Sequence, residues 1–205
     1  MLADTKLLLL SVKQIRLEEQ MLKTFQYELR PTGVQERQLL QIMGNTRYVY
    51  NWALSQKKEE WESSKKSVGQ FELMRRLTAH KKEKEWLSLA PIHSLQKAIS
   101  HVENAYQNFF EKRAEYPRYK SRKHGTGSFE IPDKKHIKYD GAKQQVFLPK
   151  LKWVRVFKDR DLQGEIRQAT VKKTATGRFY ISILCETGAA APVLPTPSRD
   201  MTGVS

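Results

Sequence analysis

The feature that most limits the fold is a change of hydrophobic period partway along the chain. From Thr32 to Phe110 apolar residues recur every three or four positions, the spacing of one helix face. Past Phe129 they recur every second position, the spacing of one sheet face. A single change of this kind predicts an α+β fold rather than alternating βαβ units. At the changeover stands Tyr116-Pro117-Arg118-Tyr119-Lys120-Ser121-Arg122-Lys123, with four cations and two aromatics in eight residues, before the loop His124-Gly125-Thr126-Gly127-Ser128. A basic, aromatic-laced hinge between two such halves is where a polyanion would lie. A solvated charge run is the plain alternative.

Charge supports the first reading. The 205 residues carry 37 Lys and Arg against 22 Asp and Glu, a net +15. Segments 1–20 and 187–205 are each balanced, so the whole excess sits on 21–186. Such an excess suits a phosphate backbone, where each neutralised phosphate releases a counterion. No basic amphipathic helix or long apolar segment accompanies it, so the expected partner is nucleic acid, with neither a membrane nor a small-molecule substrate. Cys185 is the single cysteine, which rules out an intramolecular disulfide and a multi-cysteine zinc site within these residues and fits a cytoplasmic protein. Leu7-Leu8-Leu9-Leu10 is too short an apolar run for a secretion signal, and 1–20 reads as an N-terminal extension from an upstream start.

The elements follow from local patterns. Phe25, Tyr27 and Leu29 alternate with polar residues over 23–30, a half-buried strand. Thr32 and Gln35 make a capping box, opening a helix expected to break or bend at Gly44 and to resume to about Trp61. The interruption invites a helix-turn-helix reading. A polar loop at 63–69 and a short basic helix over 71–82 follow. A helix after Pro91 carries the stripe Ile92, Leu95, Ile99, Val102, Tyr106 and Phe109, expected as core. Strands are expected at 136–139, 144–148, 152–158, 165–173 and 178–186. Asp140-Gly141 marks a hairpin, and 174–177 turns the last pair. Cys185 shares the inward face of Phe179, Ile181 and Ile183, a core position. These strands, joined by the first one, predict a small barrel with the helices inserted.

Arg118, Lys120, Arg122 and Lys123 are suited to phosphates, and Tyr119 and Phe129 to base stacking or to the core. Arg47, Tyr50 and Asn51 would form a polar-aromatic edge of their helix, and Lys172 and Lys173 add charge beside the last hairpin. Lys57 and Lys58 are placed on the outer helix face. The carboxylates are scattered and the five histidines lack metal-type spacing, so no catalytic or metal-binding residue is assigned.

Several segments together resemble the TnpB (OrfB) family. They are Leu29-Arg30-Pro31-Thr32, Gly44-Asn45-Thr46-Arg47-Tyr48-Val49-Tyr50-Asn51-Trp52-Ala53-Leu54, Ala105-Tyr106-Gln107-Asn108-Phe109-Phe110, the hinge itself, Ser128-Phe129, and Gly177-Arg178-Phe179-Tyr180-Ile181-Ser182. The family comprises transposon-encoded proteins known as transposases and related to type V CRISPR effectors. The resemblance implies an RNA-guided DNA endonuclease, with a wedge-type oligonucleotide-binding barrel and a helical recognition insertion. It implies a barrel from 21–31 and 115–187, an insertion at 32–114, and a linker at 188–205 towards a RuvC-like nuclease and a zinc ribbon. The first nuclease aspartate of the family lies in a Gly-Ile/Val-Asp-x-Gly pattern, and Gly203-Val204-Ser205 stops at its doorstep. Asp200 precedes that pattern and is not carried over. Magnesium and zinc are therefore expected only with the missing C-terminal part, and no cofactor is expected in this chain. The implied partners are guide RNA and double-stranded DNA flanking the target, in a nucleoid-associated prokaryotic setting. Gln96 and Ser128 match the regions that read the flanking motif. A standalone DNA-binding regulator or transposase remnant, and a general RNA-binding module, are the competing readings.

Overall fold

The first strand in sequence is central in space. The computed structural model describes residues 22–122 and 126–188. Its strands are β1 (Leu22–Arg30), β2 (Gly127–Ile131), β3 (Lys138–Asp140), β4 (Gln145–Leu148), β5 (Lys152–Phe157), β6 (Glu165–Lys173) and β7 (Phe179–Glu186). They form one antiparallel sheet in the order β2-β6-β7-β1-β5-β4-β3. β2 and β3 are the edges of this ladder, so strand pairing does not close it into a barrel. Between β1 and β2 the chain makes α1 (Gly33–Ser64), α2 (Gln70–Glu83), a 3-10 turn (Glu85–Leu89) and α3 (Ile92–Phe110). The protein is thus α+β.

Alternation places the core. Phe25, Tyr27 and Leu29 of β1 and Phe179, Ile181, Ile183 and Cys185 of β7 are all buried on the inward face. Burial pushes the Cys185 thiol up, as suits a core sulfhydryl. The capping box is formed: Gln35 N–H donates to Thr32 Oγ1 (3.4 Å) and Thr32 N–H to Gln35 Oε1 (3.1 Å). Gln35 Nε2 also donates to the carbonyls of Trp153 (2.8 Å) and Leu151 (3.3 Å), seating the start of α1 on β5.

The expected break at Gly44 is absent, and α1 runs unbroken for 32 residues. A mid-helix glycine costs about 0.5–1 kcal/mol, and the buried neighbours Met43, Asn45 and Thr46 outweigh that through packing. The turn between antiparallel helices falls instead at 65–69, with Lys65 in the left-handed conformation (φ 55°). α2 then folds back along α1, joined by Tyr48 Oη with His80 Nε2 (2.9 Å) and by Arg76 with Glu60 (3.3 Å).

On α3 the stripe is core only to Val102: Leu95, Ala98, Ile99 and Val102 are buried, while Tyr106 and Phe109 are partly open and Phe110 is exposed. Lys57 is not on an outer face either. It is buried, donates to the Val68 carbonyl (2.7 Å) and pairs with Glu103 at 2.7 Å. The sequence pattern does not announce β2, because only Phe129 and Ile131 are buried on it, too few to show a period. The strand expected over 136–139 begins later, because Asp133 caps a 3-10 turn (Lys134–His136) first. One glycine is sterically required: a side chain on Gly164 (φ 84°) would reach 2.2 Å from the Glu186 carbonyl oxygen, whereas one on Gly127 would only press the flexible Met43 side chain at 3.1 Å, where α1 crosses β2.

Candidate nucleic-acid interface

The hinge is held against α1 at Tyr116, Tyr119 and Lys120. Asn51 clamps one residue of it as a neighbouring strand would: its Nδ2 donates to the Lys120 carbonyl (2.9 Å), and Lys120 N–H donates to its Oδ1 (2.8 Å). Ser55 Oγ lies 3.2 Å from Tyr119 Oη, and Lys58 Nζ sits over the rings of Tyr119 (5.1 Å) and Tyr116 (5.5 Å). Asn51, Ser55 and Lys58 are spaced four and then three apart, so they share one helix face. That face measures about 10 Å at 1.5 Å per residue, and the extended stretch from Tyr116 to Lys120 spans about 13 Å, so the two match in length. Beside them Pro117 is buried. Tyr116 bonds Tyr106 through their hydroxyls (3.0 Å) and packs edge-on to Phe109 at 5.3 Å. Burial, then the Tyr116 hydrogen bond, hold the Tyr106 phenol above its ordinary range.

Within this frame the expected residues separate by role. Arg118 and Arg122 point to solvent; Arg118 pairs with Glu115 at 2.5 Å, in a pair so exposed that it contributes little. Tyr119 is half exposed, open to a stacking base. Lys120 lays its ammonium on Tyr50, 4.0 Å from the ring centroid. Burial pushes its pKa down, against the opposing pull of Glu130. Lys123 lies outside the described residues. Tyr50 is buried and Asn51 is taken up by its clamp, so these two position the hinge instead of presenting an edge; Arg47 is half-buried one turn earlier. Phe129 is 2% exposed and belongs to the core, which leaves it no free ring face for a base.

Ser128 and Lys172 are register partners, both exposed, so Lys172 places a cation on the outward face of β2 and β6. Lys173, one residue on, points to the opposite face with its ammonium over Phe179 at 5.9 Å; alternation separates the two lysines. Gln96 is half-buried in α3, where its neighbours Lys97 (3.7 Å) and His101 (2.9 Å) are engaged by Glu130. The His101 hydrogen bond, foremost, holds the Glu130 carboxyl below the usual range.

Two features escaped sequence reasoning. One is a cleft of about 910 Å³ where α1 and α3 end, lined by Lys57, Lys58, Trp61, Tyr106, Phe109 and Tyr116. Its signal was the apolar stripe running past the part of α3 that has a partner. The other brings His93, Asp133 and His136 together, with ligand atoms within 4.8 Å of one another. An ion with bonds of about 2.1 Å draws its ligands to within about 4.2 Å, so this trio is looser than a formed metal centre. The two imidazoles are stacked at 5.5 Å and thus do not converge on one point. Among the described residues no other such group occurs.

A cationic segment is thus clamped to α1, and the antiparallel sheet carries a further exposed cation, Lys172, on its outward face. Sequence comparison gives the family. Residues 21–66 match the helix-turn-helix domain of OrfB-type IS605 proteins. Two proteins named "Putative RNA-guided DNA endonuclease" align with most of the chain. InsQ of Escherichia coli (strain K12) is 35% identical over 179 residues, covering 86% of this chain and 44% of its own. One from Streptomyces pristinaespiralis is 33% identical over 176 residues, covering 82% and 42%. The chain belongs to the TnpB (OrfB) family, matching its N-terminal part, and spans less than half the length of these relatives.

Proposed function

We propose that the described residues are the nucleic-acid-binding portion of an RNA-guided DNA endonuclease of prokaryotic cytoplasm, holding guide RNA and the DNA that flanks its target. In this reading the sheet serves as a wedge-type oligonucleotide-binding unit, the three helices serve as its recognition insertion, and cleavage is the work of residues other than those described. The observation that carries it is the clamp of Asn51 on Lys120. A solvated charge run has no need of a side chain that fixes its backbone, whereas a binding segment gains affinity from being ordered beforehand.

The test is the salt dependence of affinity for a structured RNA. Replacing Arg118 and Arg122 together by Ala removes two backbone contacts, so the log–log slope falls in magnitude by roughly 1.4–1.8. The control is Lys82→Ala with Lys84→Ala, two exposed cations near the end of α2. Equal losses in both double variants refute the assignment, since only total charge would then matter.

A further inference from the structure

Register places a second set of cations and aromatics on the outward face of the sheet. One outward row runs Ser128, Lys172, Tyr180, Glu28, Phe157 across β2, β6, β7, β1 and β5. One row further along β5, Arg30, Arg155, Gln145 and Asp140 stand side by side, and the next row pairs Trp153 with Phe147. Trp153 is 42% and Phe157 52% exposed, large aromatic surfaces that folding leaves in water. The Arg30 guanidinium lies 5.1 Å from the Phe157 centroid.

Folding alone does not explain this face. Like charges directly opposite on neighbouring strands destabilise the pair, yet Arg30 and Arg155 oppose each other and neither forms an ion pair among the described residues. The carboxylates on these rows are Glu28 and Asp140; Asp140 accepts the Lys143 N–H at 2.9 Å. Arg30, Arg155 and Lys143 line a pocket of about 340 Å³ that includes the Phe157 ring. Exposed aromatics beside unpaired arginines on an antiparallel face are the chemistry that holds unpaired nucleotides: rings take bases and guanidinium groups take phosphates.

We propose that the outer face of β1, β4 and β5 binds a single-stranded stretch of polynucleotide, its bases on Trp153 and Phe157 and its phosphates on Arg30 and Arg155. This deepens the reading of the hinge as a nucleic-acid site, because Ser128 and Phe157 share one row. Four strand spacings separate them, about 19 Å along the sheet surface, so one strand leaving the hinge reaches Phe157.

The experiment uses fluorescein-labelled 12-nucleotide oligouridylate and oligothymidylate, with affinity read by anisotropy. Two double variants are compared, Trp153→Ala with Phe157→Ala, and Arg118→Ala with Arg122→Ala, each checked for folding by circular dichroism. Loss of roughly ten-fold or more in the aromatic double variant, on either oligonucleotide, is expected from two lost stacking platforms. The sugar preferred by the wild type tells which polynucleotide the face takes. A 4-thiouridine oligonucleotide should crosslink to a peptide containing 153–157, and should still do so in the hinge variant. Retained affinity in the aromatic variant, or crosslinks confined to 116–122, overturns the proposal while leaving the hinge reading intact. Loss in the aromatic variant with no effect of the hinge variant supports the proposal and counts against the hinge.

Discussion

Replacing Asn51 by Ala separates the positioning of the hinge from its charge. The substitution removes two hydrogen bonds to the backbone of Lys120 and no cation. Each bond contributes about 1 kcal/mol net, and both freed backbone groups can turn to water, so the local loss is about 1–2 kcal/mol. Were all of it to unfold the chain, the melting temperature would fall by about 2–8 °C at 2–4 °C per kcal/mol. Binding is affected differently. A hinge that spends part of its time off α1 must be re-ordered by the ligand, and the apparent Kd rises by the reciprocal of its ordered fraction. A clamp worth 1–2 kcal/mol thus weakens binding by up to about 5- to 30-fold. The slope of affinity against salt stays at the wild-type value, because Arg118, Lys120 and Arg122 all remain. Fluorescence anisotropy with one structured RNA at four salt concentrations measures both quantities. Affinity within two-fold of wild type refutes the positioning role. A slope change as large as that of the Arg118 and Arg122 variant refutes it in another way, by showing that Asn51 acts through charge.

Two further outcomes follow from packing and charge. Val102→Ala should cost about 2–5 kcal/mol in urea unfolding because the side chain is fully buried, whereas Phe109→Ala, on the cleft wall, should cost clearly less; equal costs would place both in the core. The Glu130 carboxyl is depressed below its ordinary value near 4.5, so its contribution to stability is present above that value and lost as pH falls through the lower, folded-state one. Unfolding at pH 6 should therefore show Glu130→Gln less stable than wild type, with the gap narrowing as pH falls below 4.5; a gap that stays constant down the acid range would mean the hydrogen bonds to His101 and Lys97 do not depend on charge.

Local signals were legible wherever a residue's neighbours in sequence decide its fate. Thr32 and Gln35 cap α1 as their spacing requires, and β7 buries every second residue from Phe179 to Cys185. What escaped depended on partners far along the chain. Gly44 stays helical because its neighbours are packed, and Lys57 is drawn inward by Val68 and Glu103. Asn51 has its partner 69 residues away in the hinge, and no local pattern announces a clamp of that span. Lys172 and Lys173 both stand beside the last hairpin as expected, and the strand's two-residue period sends them to opposite faces. The sheet-face arginines are legible only once register is known, since Arg30 and Arg155 are far apart in sequence and meet across β1 and β5.

Hydroxyl-radical footprinting of the hinge with and without bound RNA tests the central claim most directly, because side-chain oxidation reports the exposure of each ring. Tyr116 and Tyr119 are 42% and 50% exposed, and Phe71, 85% exposed on α2, serves as the internal reference. If nucleic acid lies along the clamped hinge, RNA lowers oxidation of Tyr119 several-fold and that of Tyr116 less, while Phe71 oxidises at an unchanged rate. Unchanged oxidation of Tyr119 at saturating RNA would contradict the account, since the bound strand would then lie elsewhere.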